Sequence, residues 1–401
     1  MTWWRCRRRR NSLADRPRLL DLTRLVSRQG RGPLTGVDRV EFAYLTELLR
    51  RPDPLFGLVR LRWGFALLGR AGIEGLRGRL CGEAGGKADW RGRLAWRRDS
   101  LRAAAEADVR RGALARGAVP FLKRLMRHLP PGISYLNVGH ANLTDRVMLA
   151  VRARGGKVAV LVHDTIPLDH PEFTRPGIPE VFARKLAAVA RHADLVITST
   201  DDACQKAEAH FSRLGRCPPV LVVPLGVKVA QPDPATVVPA EPYVIAIGTL
   251  EPRKNIGLLL DAWELGGVAM PELLLVGGRG WESAALFDRI AAAPRVRHLP
   301  GLNDGQVAAL LAGSRALVFP SRAEGFGLPP LEAAALGVPV IASDLPVLRS
   351  LLGHYPVYLD PADIYAWTEI IRGLAPGAQH RQIPIIPPNW AIHFNSVLSS
   401  V

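Results

Sequence analysis

Two carboxylates eight residues apart, Glu324 and Glu332, lie in the segment Ala316–Glu332, which reads ALVFPSRAEGFGLPPLE. Its first residues predict a strand that ends at Pro320. A glycine-bearing loop follows, and a helix begins near Pro329 or Pro330, where proline is well tolerated. Free amides at a helix start bind anions such as phosphate, and carboxylates accept hydrogen bonds from pairs of sugar hydroxyls. The spacing puts Glu324 in the loop and Glu332 in the first helical turns, within reach of different parts of one extended ligand. Gly325 and Gly327 let the backbone approach that ligand closely. Two glutamates at this offset would mean nothing by themselves. The strand, glycine loop, proline and helix around them carry the signal.

A second segment, Ile247-Gly-Thr-Leu-Glu-Pro-Arg-Lys-Asn255, again ends a strand and opens a helix. Arg253 and Lys254 at that opening suit a diphosphate and could neutralise charge growing on a phosphate leaving group. A solvated basic turn is the other reading of the pair. Gly248 begins this turn. A third strand end, Val276-Gly-Gly-Arg-Gly280, offers Gly277 and Gly278 where a phosphate or sugar could come close.

The elements that must position these residues alternate between strand and helix. Apolar runs at Ile133–Val138, Lys157–Val162, Asp194–Thr198 and Val220–Val223 predict strands. Thr144–Arg154, Pro179–Arg191 and Asp201–Leu214 predict the helices between them. Arg18–Val26 and Leu55–Arg62 read as further strands of the same sheet, with a helix at Val37–Leu49. Gly226–Pro242 is Pro-rich and without helical period, the pattern of a linker. Alternation restarts at Tyr243 and runs through strands near 272, 295, 316 and 338. Such alternation argues for parallel α/β sheets, hence two doubly wound Rossmann-like domains. Ligands of open α/β sheets bind at the carboxyl ends of the strands, so the expected site is a cleft faced by both domains. The expected divisions are a basic tail over 1–17, a first domain over 18–225, a linker over 226–242, a second domain over 243–372 and a returning segment over 373–401. Residues 65–130 are rich in Arg, Gly and Ala and remain an unassigned insertion, with one basic helix at Leu101–Leu114.

The sequence resembles the retaining nucleotide-sugar glycosyltransferases of the GT-B fold, group 1 or family four. The motifs that carry the resemblance are GTLEPRKN (248–255), LLLVGGRG (273–280) and FPSRAEGFGLPPLEAAALGVPVIASDLP (319–346). The resemblance implies that Glu332 binds the donor ribose. It implies that Glu324, with Gly325, Phe326, Gly327 and Leu328, holds the donor sugar, and that Arg253 and Lys254 bind the diphosphate. In the first half, VHDTIPLDHPE (162–172) is similar to a stretch of bacterial polysaccharide mannosyl- or rhamnosyltransferases. His163 then falls at a strand end with the role of touching the donor sugar, against the plainer reading of a structural hydrogen bond. Asp164 and His170 are weaker candidates. GPLTGVDRV (32–40) is similar to the family's N-terminal glycine loop, where Thr35 and Gly36 could touch donor phosphate or acceptor, or simply cap a helix.

Charge is distributed unevenly. Residues 1–130 hold 30 Lys and Arg against 12 Asp and Glu, and the rest of the chain is nearly neutral. Four cysteines in no CxxC pairing argue against a disulfide framework or a structural zinc. Neither a membrane-spanning run nor a secretory signal is visible. The start, MTWWRCRRRR, is either a disordered basic tail or a segment lying on an anionic membrane. The expectation is therefore a cytoplasmic enzyme, peripheral on the inner face of the cell membrane. It would move a hexose, with mannose as the guess, from a nucleoside diphosphate sugar to a glycan or lipid-linked acceptor, without metal or other cofactor. A GT-B glycan phosphorylase and a basic RNA-binding protein are the rivals. No RNA-binding motif is present, so no nucleic-acid partner is expected.

Overall fold

The structure, a computed structural model, describes residues 16–34, 36–374 and 381–401. It contains two sheets. The first has strands β1 (Arg18–Asp21), β2 (Leu55–Leu61), β3 (Gly64–Leu68), β4 (Ala113–Ala118), β5 (Ser134–Asn137), β6 (Lys157–Leu161), β7 (Leu195–Thr198) and β8 (Val220–Val222). Their order is β4-β3-β2-β1-β5-β6-β7-β8. The second has β9 (Tyr243–Ile247), β10 (Glu272–Val276), β11 (Val296–Leu299), β12 (Leu317–Phe319), β13 (Val340–Ser343) and β14 (Val357–Leu359), in the order β11-β10-β9-β12-β13-β14. By contacts the chain divides into two compact units. One comprises 1–161 with 188–196 and 396–401, and the other 162–187 with 197–395.

The central strands of the second sheet, YVIAI in β9 and LVF in β12, are short and continuously apolar, as strands covered on both faces are, whereas β1 (RLLD) and β5 (SYLN) carry buried polar residues. Strand β1 pairs in parallel with β2 and β5, and β9 in parallel with β10 and β12. In the second sheet the chain runs outward from β9 through β10 to β11, then returns to lay β12, β13 and β14 on the other side of β9. The loops after β9 and β12 therefore emerge side by side where the winding reverses, which is where ligands of this architecture bind. Trp263, Trp367, Leu259 and Ile371 lie in the core below these loops. Both indoles are satisfied, Trp263 donating to the Pro271 carbonyl at 2.9 Å and Trp367 to that of Asp360 at 2.9 Å.

Two expectations change. The strand expected over Arg18–Val26 stops at Asp21, whose carboxylate accepts the Thr23 amide at 3.1 Å, and a helix occupies Thr23–Arg28. The insertion 65–130 is largely ordered. Strands β3 and β4 extend the first sheet in antiparallel fashion, and helices occupy Arg70–Leu80, Trp90–Ala95 and Ser100–Arg111. Strand β4 alternates half-buried and exposed residues, the pattern of an edge. The helix begins at Ser100 because Asp99 caps it, its carboxylate accepting the Arg102 amide at 3.0 Å.

Candidate functional site

The site begins with two strand-end loops zipped together. Gly248 donates its amide to the Val276 carbonyl at 2.9 Å, and Leu250 to that of Gly278 at 3.0 Å. Gly277 has φ 150°, and a Cβ there would drive into the Gly248 carbonyl, so only glycine fits. At Gly278 a Cβ would meet nothing within 4 Å, leaving open space beside the backbone. Past Leu250, a 3₁₀ turn over Pro252–Lys254 presents Arg253 and Lys254. Asn255 closes that turn in the left-handed region and donates to the Pro361 carbonyl at 2.9 Å.

The loop after β12 supplies their partner. Glu324 bonds Lys254 Nζ through Oε1 at 2.5 Å and Arg253 Nη1 through Oε2 at 2.7 Å. Arg253 also bonds Glu251 at 2.5 Å and donates to the Ala323 carbonyl at 3.0 Å. Lys254 lies 4.6 Å from the centre of the Phe319 ring. Burial by itself would raise the Glu324 pKa, but the charges of Arg253 and Lys254 outweigh it and hold the carboxyl at about 2. Burial lowers the Lys254 pKa, with Glu324 opposing. Burial also raises Glu251 and Asp164, against the pull of Arg253.

Gly325 joins this loop to the segment after β6. A Cβ at Gly325 would lie 2.8 Å from the His163 carbonyl oxygen and 2.9 Å from Asp164 Cβ. The buried His163 and the half-buried Asp164 thus sit directly against the glycine loop. Phe326 is buried, and Gly327, with φ 93°, caps the helix that starts at Leu328. Glu332 lies on that helix, half-buried. Gly36 precedes the helix Val37–Arg50 with φ 45° and open space around it, and Thr35 lies outside the described residues.

Beside Glu324 is a cavity of about 190 Å³ whose walls include Asp164, Asp169, Lys206 and Arg322. Asp169 accepts hydrogen bonds from Thr165 at 2.5 Å and from His210 at 2.7 Å. Sequence reasoning missed Glu251, Asp169, Lys206 and Arg322. Glu251 and Arg322 stand inside the quoted motifs, two residues before Arg253 and Glu324 respectively, and that adjacency was the available signal. Asp169 stands inside the quoted stretch 162–172, next to His170, whereas Lys206 comes from a separate helix, Asp201–Arg213, and no local pattern links it to the loops.

Residues 231–382 match the family model for glycosyl transferases group 1. This stretch is a group 1 glycosyl transferase domain. The chain is 32% identical over 243 residues to the serotype-specific mannosyltransferase WbdA of Escherichia coli, covering 54% of this chain and 30% of that protein. It is 38% identical over 158 residues to the O-antigen chain mannosyltransferase B of Escherichia coli, covering 34% of this chain and 42% of that one. The chain thus spans less than half the length of these curated relatives. Among solved structures, Anabaena HepE in complex with UDP-glucose aligns over 88% of both chains with a TM-score of 0.58 at 17% identity. That likeness shows the fold, a GT-B architecture of two parallel α/β domains. The group 1 glycosyl transferase domain contains Gly248, Arg253, Lys254, Gly277, Gly278, Glu324 to Leu328 and Glu332, while His163 and Gly36 lie outside it.

Proposed function

We propose that this protein moves a hexose from a nucleoside diphosphate sugar to a glycan or lipid-linked acceptor, with retention at the anomeric carbon, in surface polysaccharide synthesis. The observation that carries the reading is Glu324 fixed between Arg253 and Lys254 beside the open start of the helix at Leu328. A carboxylate bound to two cations leaves donors over, because an ammonium has three and a guanidinium five. Those remaining donors face a donor diphosphate and stabilise the charge that grows on it as the bond to the anomeric carbon breaks.

The acceptor oxygen attacks from the face the diphosphate is leaving, and the departing phosphate oxygen takes up the acceptor proton. Enzyme groups position the two substrates rather than forming a covalent bond. Glu324, held ionised, accepts hydrogen bonds from the donor sugar, with the amides of Gly325, Phe326, Gly327 and Leu328 alongside. Glu332 takes the ribose hydroxyls, and Gly248, Gly277 and Gly278 give the phosphates room. His163 touches the sugar near the reacting centre. With two fixed cations at the leaving group, the reaction needs no metal. The mannosyltransferase names of the relatives support mannose as the sugar. Among the described residues no helix is long and apolar enough to cross a membrane. The excess of Arg and Lys over residues 1–130 supports a peripheral place on an anionic surface.

The test is turnover of a panel of nucleotide sugars by the wild type and by Lys254→Ala and Glu324→Ala. One donor should be turned over, both variants should lose that turnover, and EDTA should leave the wild type unaffected. Near wild-type turnover in both folded variants would refute the site, and strict dependence on metal would refute the metal-free step.

A further inference from the structure

A second cluster of cations sits at the carboxyl end of β2, far along the sequence from the donor motifs. Arg60 is the penultimate residue of that strand and Arg62 follows it. The Arg60 amide donates to Thr23 Oγ1 at 2.9 Å, which places it at the loop after β1. Its guanidinium lies 4.7 Å from the Phe65 ring centre. Trp96 is flanked by two guanidinium groups, Arg62 at 5.9 Å and Arg102 at 5.5 Å from the ring centre. Arg102 Nη2 reaches the Arg60 carbonyl at 3.4 Å, tying the group together. Arg146, exposed in the first turn of the helix Asp145–Arg152, is close enough that its charge, with burial as the larger cause, lowers the Arg60 pKa.

The acids around this cluster are already engaged. Glu106 accepts from Arg102 at 3.3 Å, from Arg110 at 3.4 Å and from the Arg62 amide at 3.3 Å. Asp99 pairs with Arg31, and Asp145 with Arg191 and His192. Arg60, Arg62 and Arg146 form no ion pair with an acid among the described residues. Two donors are buried there with no acceptor among the described residues, Arg102 Nη1 and Trp96 Nε1. Native proteins rarely leave such donors unmatched. The half-exposed Trp63 stands next to Arg62.

We infer that Arg60, Arg62, Arg102 and Arg146, with the Trp96 N–H, form an anion site that holds a phosphate or diphosphate group of the acceptor. The acceptor role rests on the transferase reading above. Planar guanidinium forks match phosphate oxygens in pairs, and strand carboxyl ends are where ligands of these sheets bind. The end of β2 carries Arg60, with Arg62 just after it, the helix Ser100–Arg111 carries Arg102, Trp96 ends the helix Trp90–Ala95, and Arg146 lies on the helix that follows β5, so the site is built by elements of the fold.

Calorimetric titration of the full chain with inorganic pyrophosphate tests this. The wild type should bind at two places, this cluster and the Arg253–Lys254 pair. The double substitution Arg62→Gln and Arg146→Gln removes one, and Arg253→Gln with Lys254→Gln removes the other. Unchanged stoichiometry in the first variant overturns the inference. Unchanged stoichiometry only in the second leaves this site standing and defeats the donor-diphosphate reading. Phosphatidylglycerol vesicles give the other arm. An Arg62→Gln, Arg146→Gln protein that loses vesicle binding yet keeps both pyrophosphate sites would assign these arginines to a lipid surface and overturn the proposal. Trp96→Phe keeps the ring and removes the donor. It should weaken the same site several-fold, and serves should the double variant fail to fold; unaltered binding then overturns the inference.

Discussion

Replacing Glu324 with glutamine removes one charge from a buried network and leaves its shape. The Glu324 side chain is 7% exposed and Lys254 11%, so solvent cannot take over for the lost charge. The fall from the ordinary 4.5 to about 2 corresponds to about 3 kcal/mol. Breaking a buried pair by removing one partner costs about 3–5 kcal/mol. Glutamine still offers one oxygen to Lys254, which favours the lower figure. For a unit of this size, a loss of about 3 kcal/mol lowers Tm by about 6–12 °C. The pH dependence follows from the sign. A carboxyl whose folded pKa is depressed contributes stability above its unfolded pKa, and the contribution fades as pH falls toward the folded value. The gap between wild type and Glu324→Gln should therefore hold from pH 7 to about 5 and close between about 4.5 and 2. Urea unfolding across that range measures it. Adding Lys254→Met to Glu324→Gln should cost less than the sum of the two single changes, because the second change removes an ammonium already left unmatched. A gap below about 0.5 kcal/mol at pH 7, smaller than a median buried contact, or one independent of pH, would refute the coupling of Glu324 to Arg253 and Lys254.

Two further outcomes are expected. Gly325→Ala forces a methyl group against the His163 carbonyl at 2.8 Å; displacement of the loop should cost about 1–3 kcal/mol and cut kcat/KM at least tenfold, measurable by thermal unfolding and initial rates, and unaltered rates would mean that this contact does not position the site. Asp21 is buried beneath Tyr135 and Asn142, and burial raises its pKa to about 6. A raised acid contributes stability below its unfolded pKa that is lost as pH climbs through the folded one, so Asp21→Asn should gain about 3 kcal/mol on the wild type between pH 4 and 7, and a constant difference in urea unfolding would count against it.

What was readable from sequence alone divides along a physical line. The loops after β9, β10 and β12 were legible as local structure because glycine and paired charge at strand ends leave local marks. Gly277 is fixed by a carbonyl of the neighbouring loop, and Arg253 and Lys254 stand together in one turn. The alternation of strands and helices was legible for a related reason, since most of the parallel strands, such as YVIAI and VIAS, are apolar runs of a few residues. The first helix, Thr23–Arg28, was not, because Leu22, Leu25 and Val26 continue the apolar residues of the strand before it and only the Asp21 side chain marks the break. Strand β4 escaped because its sequence, ALARGA, has no β-branched residue and is held as a strand by pairing with β3. Contacts at long separation left no mark at all. Nothing in VHDTIPLDHPE announces that His163 and Asp164 lie against Gly325.

The basic third of the chain changes meaning once its partners are counted by place rather than by number. Much of its arginine is matched inside the fold: Arg18 to Asp53, Arg24 and Arg28 to Asp38, Arg31 to Asp99, Arg79 and Arg111 to Asp108, and Arg110 to Asp89. The one-to-one pairs contribute little to a long-range field, because each is close to neutral at the distance of a ligand, while Asp38 and Asp108 each face two guanidiniums and leave one positive charge over. The charge that remains free to act is local, and the cluster around Trp96 is one place where it gathers on rigid elements. At the loops after β9 and β12 the balance is different. Arg253 and Lys254 are nearly cancelled by Glu251 and Glu324, so a diphosphate arriving there must draw on spare hydrogen-bond donors rather than on a bare excess of charge. The two sites would thus hold anions by different physics, one by directed donors in a near-neutral pocket and one by uncompensated guanidinium charge. Added salt should screen the second more than the first, since the first is buried and the second half-open to water.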